Sequence, residues 1–324
     1  MKVTIYSSHK DLPTLACPDY FHSSELMEIY EHALRHKPYM VIAQNEEGRI
    51  VANMLAVVRN GKCRIFHEGA YYGLEEKDRE KVFGAMLEAI TRKLSRSAFY
   101  IEVSDISYKM FAYKYFKQNK YFPIHWLQVH NSLHSKPPKE RVSHKFLRKI
   151  AYARKMGVVT SKISTAEELD QFYTLTRSYY NFHLRKFCPV KSFFEQLMVS
   201  EHGELFLTTY CGKAIGACAV VRSKHHDRKE NRSENDKDAF LWFGAYKSKS
   251  HPKLAPDIAT IWNVLNHEHS NGIHHFHFLD VGLPFFKNKY YDFIMNFGGK
   301  TTGTNRWFRF TPSWLNWILR KFFK

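Results

Sequence analysis

Apolar residues between Glu204 and Lys287 run first at strand spacing and then at helix spacing. Leu205-Phe206-Leu207-Thr208-Thr209-Tyr210, a Cys211-Gly212-Lys213 turn and Ile215 to Val221 predict a hairpin, because both arms are β-branched or aromatic around a glycine connection. Ala239 to Tyr246 predicts a third strand, followed by a loop from Lys247 to Ala255 that holds no glycine. A helix is predicted from Pro256, with Ile258, Ile261, Trp262 and Leu265 at i, i+3, i+4 and i+7. Gly272 ends it; His275 to Val281 predicts a strand leading to Gly282, and Phe285 to Phe297 a further helix.

The first half carries the same alternation. Ser23-Ser24-Glu25 caps a helix with Leu26, Ile29, Tyr30, Ala33 and Leu34 on one face. Tyr39 to Gln44 and Ile50 to Arg59 form a hairpin pattern around Asn45-Glu46-Glu47-Gly48, and Arg64 to Tyr72 a third strand. Asp78 to Leu94 is a strong amphipathic helix through Val82, Phe83, Met86, Leu87, Ile90 and Leu94. Ala98 to Val103, Tyr108 to Lys117 and Tyr121 to Leu133 predict strand, helix and strand. Helix, hairpin, strand, helix, strand, helix, strand thus recurs from Ala166 to Phe310, a duplication of pattern without repeated residues. The expected class is α/β, with a mixed α+β sheet in each of two tandem domains. The polar stretch at 135–142 is the expected linker between domains at 1–134 and 143–311, and 312–324 stands as a separate amphipathic helix.

Composition narrows the partners. The chain of 324 residues has 49 Lys+Arg against 31 Asp+Glu, net +18, which favours anionic partners: nucleic acid, an acidic membrane surface or phosphorylated substrates. Cys17, Cys63, Cys188, Cys211 and Cys218 are odd in number and without a C-x-x-C spacing. They read as reduced, in a cytoplasmic protein with neither signal peptide nor transmembrane run.

Four further stretches carry chemistry or its imitation. Val142 to Met156 predicts a basic helix, with Phe146, Leu147, Ile150 and Ala151 opposite Lys145, Arg148, Lys149, Arg154 and Lys155. A solvated face and a phosphate-contacting face both fit that pattern. Ser223 to Asp238 is a charged run that predicts a solvated loop, with His225 and His226 within it. His267, His269, His274, His275 and His277 cluster in sequence, but lack the acid or cysteine spacing of a metal centre, so no metal is expected. In the tail, Thr311 and Pro312 are expected to start a helix whose polar stripe is Asn316, Arg320 and Lys324. Its aromatic remainder either packs on the protein or lies at a membrane interface as a peripheral contact.

These residues resemble the Fem-type peptidoglycan-bridge aminoacyltransferases and related acetyltransferase-like domains of the GNAT superfamily. Arg148-Lys149-Ile150, Ala153 and Gly157-Val158 resemble the family's helix entry, and Gly212-Lys213-Ala214-Ile215-Gly216-Ala217 its G-K-x-I-A-x strand. Tyr246 matches the aromatic ending the third strand, and Ala255-Pro256-Asp257 the next helix start. Leu279-Asp280-Val281-Gly282, Phe286-Lys287 and Phe297-Gly298 are similar to the closing F-D-x-G, F-K and F-G signature. Tyr100-Ile101-Glu102-Val103 stands at the corresponding strand of the first half. The resemblance spans nearly the whole chain in short motifs.

It implies an N-acyltransferase moving an acyl or aminoacyl group from acyl-CoA or aminoacyl-tRNA to an amine of a cell-wall, envelope or sugar acceptor. Such transfer needs an unprotonated amine, a polarised carbonyl and a proton for the leaving group. The resemblance assigns Asp280 to the incoming ammonium, Tyr246 to the leaving group and Lys287 to a donor phosphate or the oxyanion. It assigns the donor cofactor to Gly244, Ala245, Lys247, Lys249 and His251, and substrate contacts to Trp262, Glu102 and Arg148. Structural roles compete: Asp280 as a turn cap, Lys287 as a solvated lysine, Tyr246 as packing. The sequence departs from the coenzyme-A pattern, since Lys247 to Lys253 offers no glycine where backbone amides cradle pyrophosphate. The long helical arm of several Fem-type enzymes has no counterpart either. A non-catalytic binding module of the same fold is therefore the alternative, and general nucleic-acid binding a third.

Overall fold

A computed structural model describes residues 1–106, 111–181, 188–223 and 238–323. Its contacts divide the chain into two compact units, Met1–Leu127 with Gly303–Lys324, and Gln128–Thr302. The first unit begins with β1 (Lys2–Tyr6), α1 (Ser24–Glu31), β2 (His36–Gln44), β3 (Ile50–Arg59), β4 (Lys62–Phe66) and β5 (Ala70–Tyr71). α2 (Glu76–Leu94), β6 (Tyr100–Ile106), α3 (Tyr113–Gln118) and β7 (Phe122–Ser132) follow. Ser23 caps α1 as predicted, its hydroxyl accepting the Leu26 amide at 3.0 Å. The predicted strand from Arg64 to Tyr72 is broken in two. β4 stops at Phe66, His67 and Gly69 take φ of 52° and 102°, and β5 folds back onto β3. The predicted apolar face of α2 is wholly buried. Gly84 lets that helix approach α3, since a Cβ there would fall 2.2 Å from the Tyr115 ring. The helix predicted at Tyr108 starts at Tyr113; residues 107–110 lie outside the described ones.

The second unit contains α4 (Pro138–Arg141), α5 (His144–Lys155), β8 (Val159–Lys162), α6 (Ala166–Asn181) and α7 (Lys191–Val199). β9 (Gly203–Tyr210), β10 (Lys213–Ser223), β11 (Asp238–Tyr246), α8 (Pro256–Ser270), β12 (His275–Gly282) and α9 (Lys289–Met295) complete it. Its strands lie in the order β7-β12-β11-β10-β9-β8. The predicted hairpin is β9–β10, antiparallel from Lys213↔Tyr210 to Val221↔Gly203. β10 and β11 are almost continuously buried because helices cover the sheet: α6 and α7 contribute Phe172, Phe193 and Phe194, and α8 contributes Ile258, Ile261 and Leu265. Ser143 caps α5, and Phe146 and Ala153 are its buried residues, whereas Ala151 is exposed. The predicted helix from Phe285 is confined to α9, because Asn288 accepts the Tyr290 and Tyr291 amides and starts it there. The charged run within 223–238 lies outside the described residues between Ser223 and Asp238.

The final strand, β13 (Lys300–Phe310), enters the first unit at Gly303, so the sheet there reads β1-β2-β3-β4-β6-β13-β7. Trp307 of β13 is buried and stacks on Phe116 with centroids 4.3 Å apart. α10 (Ser313–Phe322) follows. The contacts thus change unit within β7 and β13, whereas the expected linker was 135–142. Two expectations about the tail need correction. Thr311 does not cap α10; its hydroxyl donates to the Ala98 carbonyl and Pro312 is the capping residue. Asn316 is not on a solvent stripe but buried, accepting the Phe310 amide at 2.9 Å and donating to the Lys120 carbonyl at 3.0 Å. Two backbone groups that need partners draw the polar side chain inward.

Candidate active site

In the second unit β11 and β12 run parallel, in register from Ala239↔Phe276 to Leu241↔Phe278. Beyond Leu241 the two strands part. The Lys247 amide donates to Ile215 of β10 at 2.8 Å, so by strand alternation the Gly244 and Tyr246 amides point away from β10, into the gap. The Gly244 amide is not bare there: it donates to the Tyr180 hydroxyl at 3.1 Å, and that hydroxyl donates to the Gly244 carbonyl at 3.0 Å. A phenol from the last turn of α6 thus satisfies the edge that β12 leaves.

Aromatic hydroxyls fill the surroundings. The Tyr246 hydroxyl is buried with no hydrogen-bond partner, and a Cβ on Gly244 would sit 2.4 Å from it, so the approach requires glycine. Tyr179 meets Tyr180 and Tyr246 with ring centroids 5.3 and 6.4 Å apart. Burial first, then neighbouring Cys218 and the tyrosines, pushes the Tyr246 phenol well above 10.0. Burial also raises Tyr180, against the opposing Gly244 hydrogen bond, with Tyr179, Asp280 and Cys218 adding to the rise. Tyr290, though 36% exposed, is also raised, by burial of its hydroxyl surroundings first and then by Tyr180 and Asp280. All three phenols hold their protons at neutral pH. Asp280 stands at the parting end of β12 with φ 59°, a left-handed conformation that aspartate tolerates better than most residues and that clusters at functional sites.

Two amides of the loop after β11 are spent within the loop. His251 donates to the Lys247 carbonyl at 3.0 Å, and Leu254 to His251 at 3.1 Å. At the start of α8, Ala255 is left-handed at φ 43°, Pro256 has no amide proton, and the Ile258 amide meets the Asp257 carboxylate at 2.9 Å. That carboxylate also raises the Tyr179 phenol, after burial. An anion is therefore already fixed where a pyrophosphate would need free amides, and the residues present do not fit a coenzyme-A cradle. Lys247 and Lys249 are exposed, and the His251 ring pairs with Ser250.

The sequence-assigned residues thus separate. Tyr246, Gly244, Ala245 and Asp280 belong to the parting strands; Lys287 is exposed in the turn before α9 rather than in a helix. Trp262 lines a groove of about 1070 Å³ between α5 and α8 with Leu147, Ile150 and Arg154. Arg148 lines another cleft, with Lys145, Lys149, Tyr152 and Lys253. Glu102 lies in the first unit, its carboxylate 3.2 Å from Arg306 and 3.8 Å from Arg64. The histidines go to different partners, His267 to Glu204 and His277 to Asp238. Glu204, His267 and Glu268 lie close enough to share a cation, but Lys162 and Arg222 already neutralise the two carboxylates. Sequence reasoning missed Tyr179, Tyr180, Tyr290 and Asp257 as site residues. The paired tyrosines at the end of α6 were the only signal for the first two.

No family model matches the chain, and no curated protein matches it in sequence. Solved structures do match. The fold is the tandem GNAT-like one. FemX aligns with a TM-score of 0.62 at 9% identity, over 99% of this chain and 100% of that one. A tandem GNAT protein from the clavulanic acid biosynthesis pathway aligns at 0.59 and 10%, over 96% and 99%. The C-terminal domain of a putative lysylphosphatidylglycerol synthetase from Agrobacterium fabrum aligns at 0.59 and 10%, over 93% and 90%. At such identities the likeness is one of fold. Among the described residues no helix is long and apolar enough to cross a membrane.

Proposed function

We propose that the chain is an N-acyltransferase whose reaction takes place where β11 parts from β12. The observation that carries this reading is the gap itself: a strand edge released from its parallel neighbour after Leu241, lined by phenol hydroxyls and closed by Asp280. The donor carbonyl lies against the Gly244–Tyr246 edge and takes over the amide now held by Tyr180. The acceptor amine arrives beside Asp280, which orients its ammonium until the proton is lost to solvent. The amine nitrogen bonds to the carbonyl carbon, the bond from that carbon to the carrier breaks, and the nitrogen's surplus proton goes to the leaving group. Tyr246, protonated at neutral pH, relays that proton: its hydroxyl gives one to the leaving group and regains the one the nitrogen loses.

Asp257 at the start of α8 disfavours a donor held by its pyrophosphate. An aminoacyl-tRNA suits the net charge of +18 and the basic cleft of Lys145, Arg148, Lys149 and Lys253. A cell-wall, envelope or sugar amine is the corresponding acceptor class. The double hydrogen bond of Tyr180 to Gly244 favours one competing reading, a binding module whose catalytic edge is plugged. Incubation with aminoacyl-tRNA or acyl-CoA and a panel of amines, read by mass spectrometry, separates them. Product formation from aminoacyl-tRNA that disappears in Asp280→Asn is expected. Binding of donor without product from either carrier establishes the module instead.

A further inference from the structure

α10 is mounted the wrong way round for a helix that completes a core. Its one buried residue is the polar Asn316, clamped between the Phe310 amide and the Lys120 carbonyl. Trp314, Trp317 and Phe322 are left 66%, 57% and 79% exposed, with Ile318 and Phe323 also outside. Lys321 places its ammonium 3.7 Å from the Trp317 ring centroid, a cation held on an aromatic face. From Phe308 to Phe323 the chain has Arg309, Arg320 and Lys321 and no acidic residue. α3, whose end meets α10 through Asn316, adds exposed Tyr113, Lys114 and Lys120.

We infer that α10 is a membrane-docking helix that seats Trp314, Trp317 and Phe322 in the interface of an anionic lipid bilayer, with Arg320 and Lys321 on the headgroups. Tryptophan beside lysine and arginine on a short amphipathic helix matches the interfacial zone, where ring and cation are both solvated as they prefer. A second copy of the chain is a poorer occupant, since a two-fold contact would bring the same cations face to face without acids to offset them. The inference concerns a different surface from the proposed catalytic gap and does not depend on it.

Co-sedimentation with phosphatidylcholine vesicles, with and without one quarter phosphatidylglycerol, tests it. The wild-type chain binds the anionic vesicles at least about tenfold more tightly at low salt, and loses that preference as salt is raised. Trp314→Ser/Trp317→Ser/Phe322→Ser lowers anionic-vesicle binding by about tenfold or more, and Arg320→Gln/Lys321→Gln removes the lipid preference. Because the variants alter the docked helix, quenching of wild-type tryptophan fluorescence by brominated lipids gives an independent readout, and quenching is expected. The inference is overturned by no sedimentation with anionic vesicles at low salt, by unchanged binding of the triple variant, or by absence of quenching. A wild-type dimer that the triple variant converts to monomer in light scattering also overturns it, assigning the face to a contact between copies.

Discussion

The two units use the same order of elements but treat one pair of parallel strands in opposite ways. In the first unit β4 and β6 are paired from Lys62↔Tyr100 to Phe66↔Ser104, and the His67 amide extends the contact to the Ser104 carbonyl at 2.9 Å. In the second, the pairing of β11 and β12 reaches only Leu241↔Phe278, and a tyrosine hydroxyl replaces the lost strand partner. A repeated topology therefore does not repeat a site. The transfer proposed above needs backbone donors released from their ladder, and of the two strand pairs only β11 and β12 part in this way.

The largest expected effect lies in the first unit. Trp307→Ala should destabilise it by about 3–5 kcal/mol in urea unfolding, because a stacked aromatic leaves a cavity under β13. A small loss would mean that β13 contributes little to that core. In the second unit, Gly244→Val should reduce acyl transfer by about a thousandfold, the scale of losing a carbonyl-polarising donor, with circular dichroism unchanged. Retained turnover would move the reaction elsewhere. Tyr246→Phe should lower kcat by about a hundredfold. Since the wild-type phenol is raised well above 10.0, the loss should be even across neutral and mildly alkaline pH, whereas a loss that fades with rising pH would mean that the phenol ionises in that range, against its raised pKa. Glu102→Gln sharpens the contrast. It should cost about 1–3 kcal/mol of stability by weakening the Arg306 partnership and leave turnover unchanged.

Much of this contrast was legible in the residues. Runs of β-branched and aromatic residues placed β9, β10 and β11, the first two around a glycine connection, and a 3.6-residue period placed α2 and α8, because burial writes itself into the sequence. Asp280 and the Gly244–Tyr246 edge were legible through motif and strand ends. Tyr180 was not, since nothing in α6 records which strand its last turn will overlie. Asp257 was read as a helix start rather than as a carboxylate facing a phenol. Asn316 misled for a related reason: a polar residue at helical spacing reads as solvent-facing unless the backbone groups it must satisfy are known.

Amide hydrogen exchange in a Tyr180→Phe variant tests the central claim without knowledge of donor or acceptor. Removing the hydroxyl should speed exchange at Gly244 by about tenfold, as expected for the loss of one hydrogen bond, and leave the strand-paired His67 amide unchanged. A Gly244 amide as protected as before would show that β11 remains laddered to β12, and the proposed site would not exist.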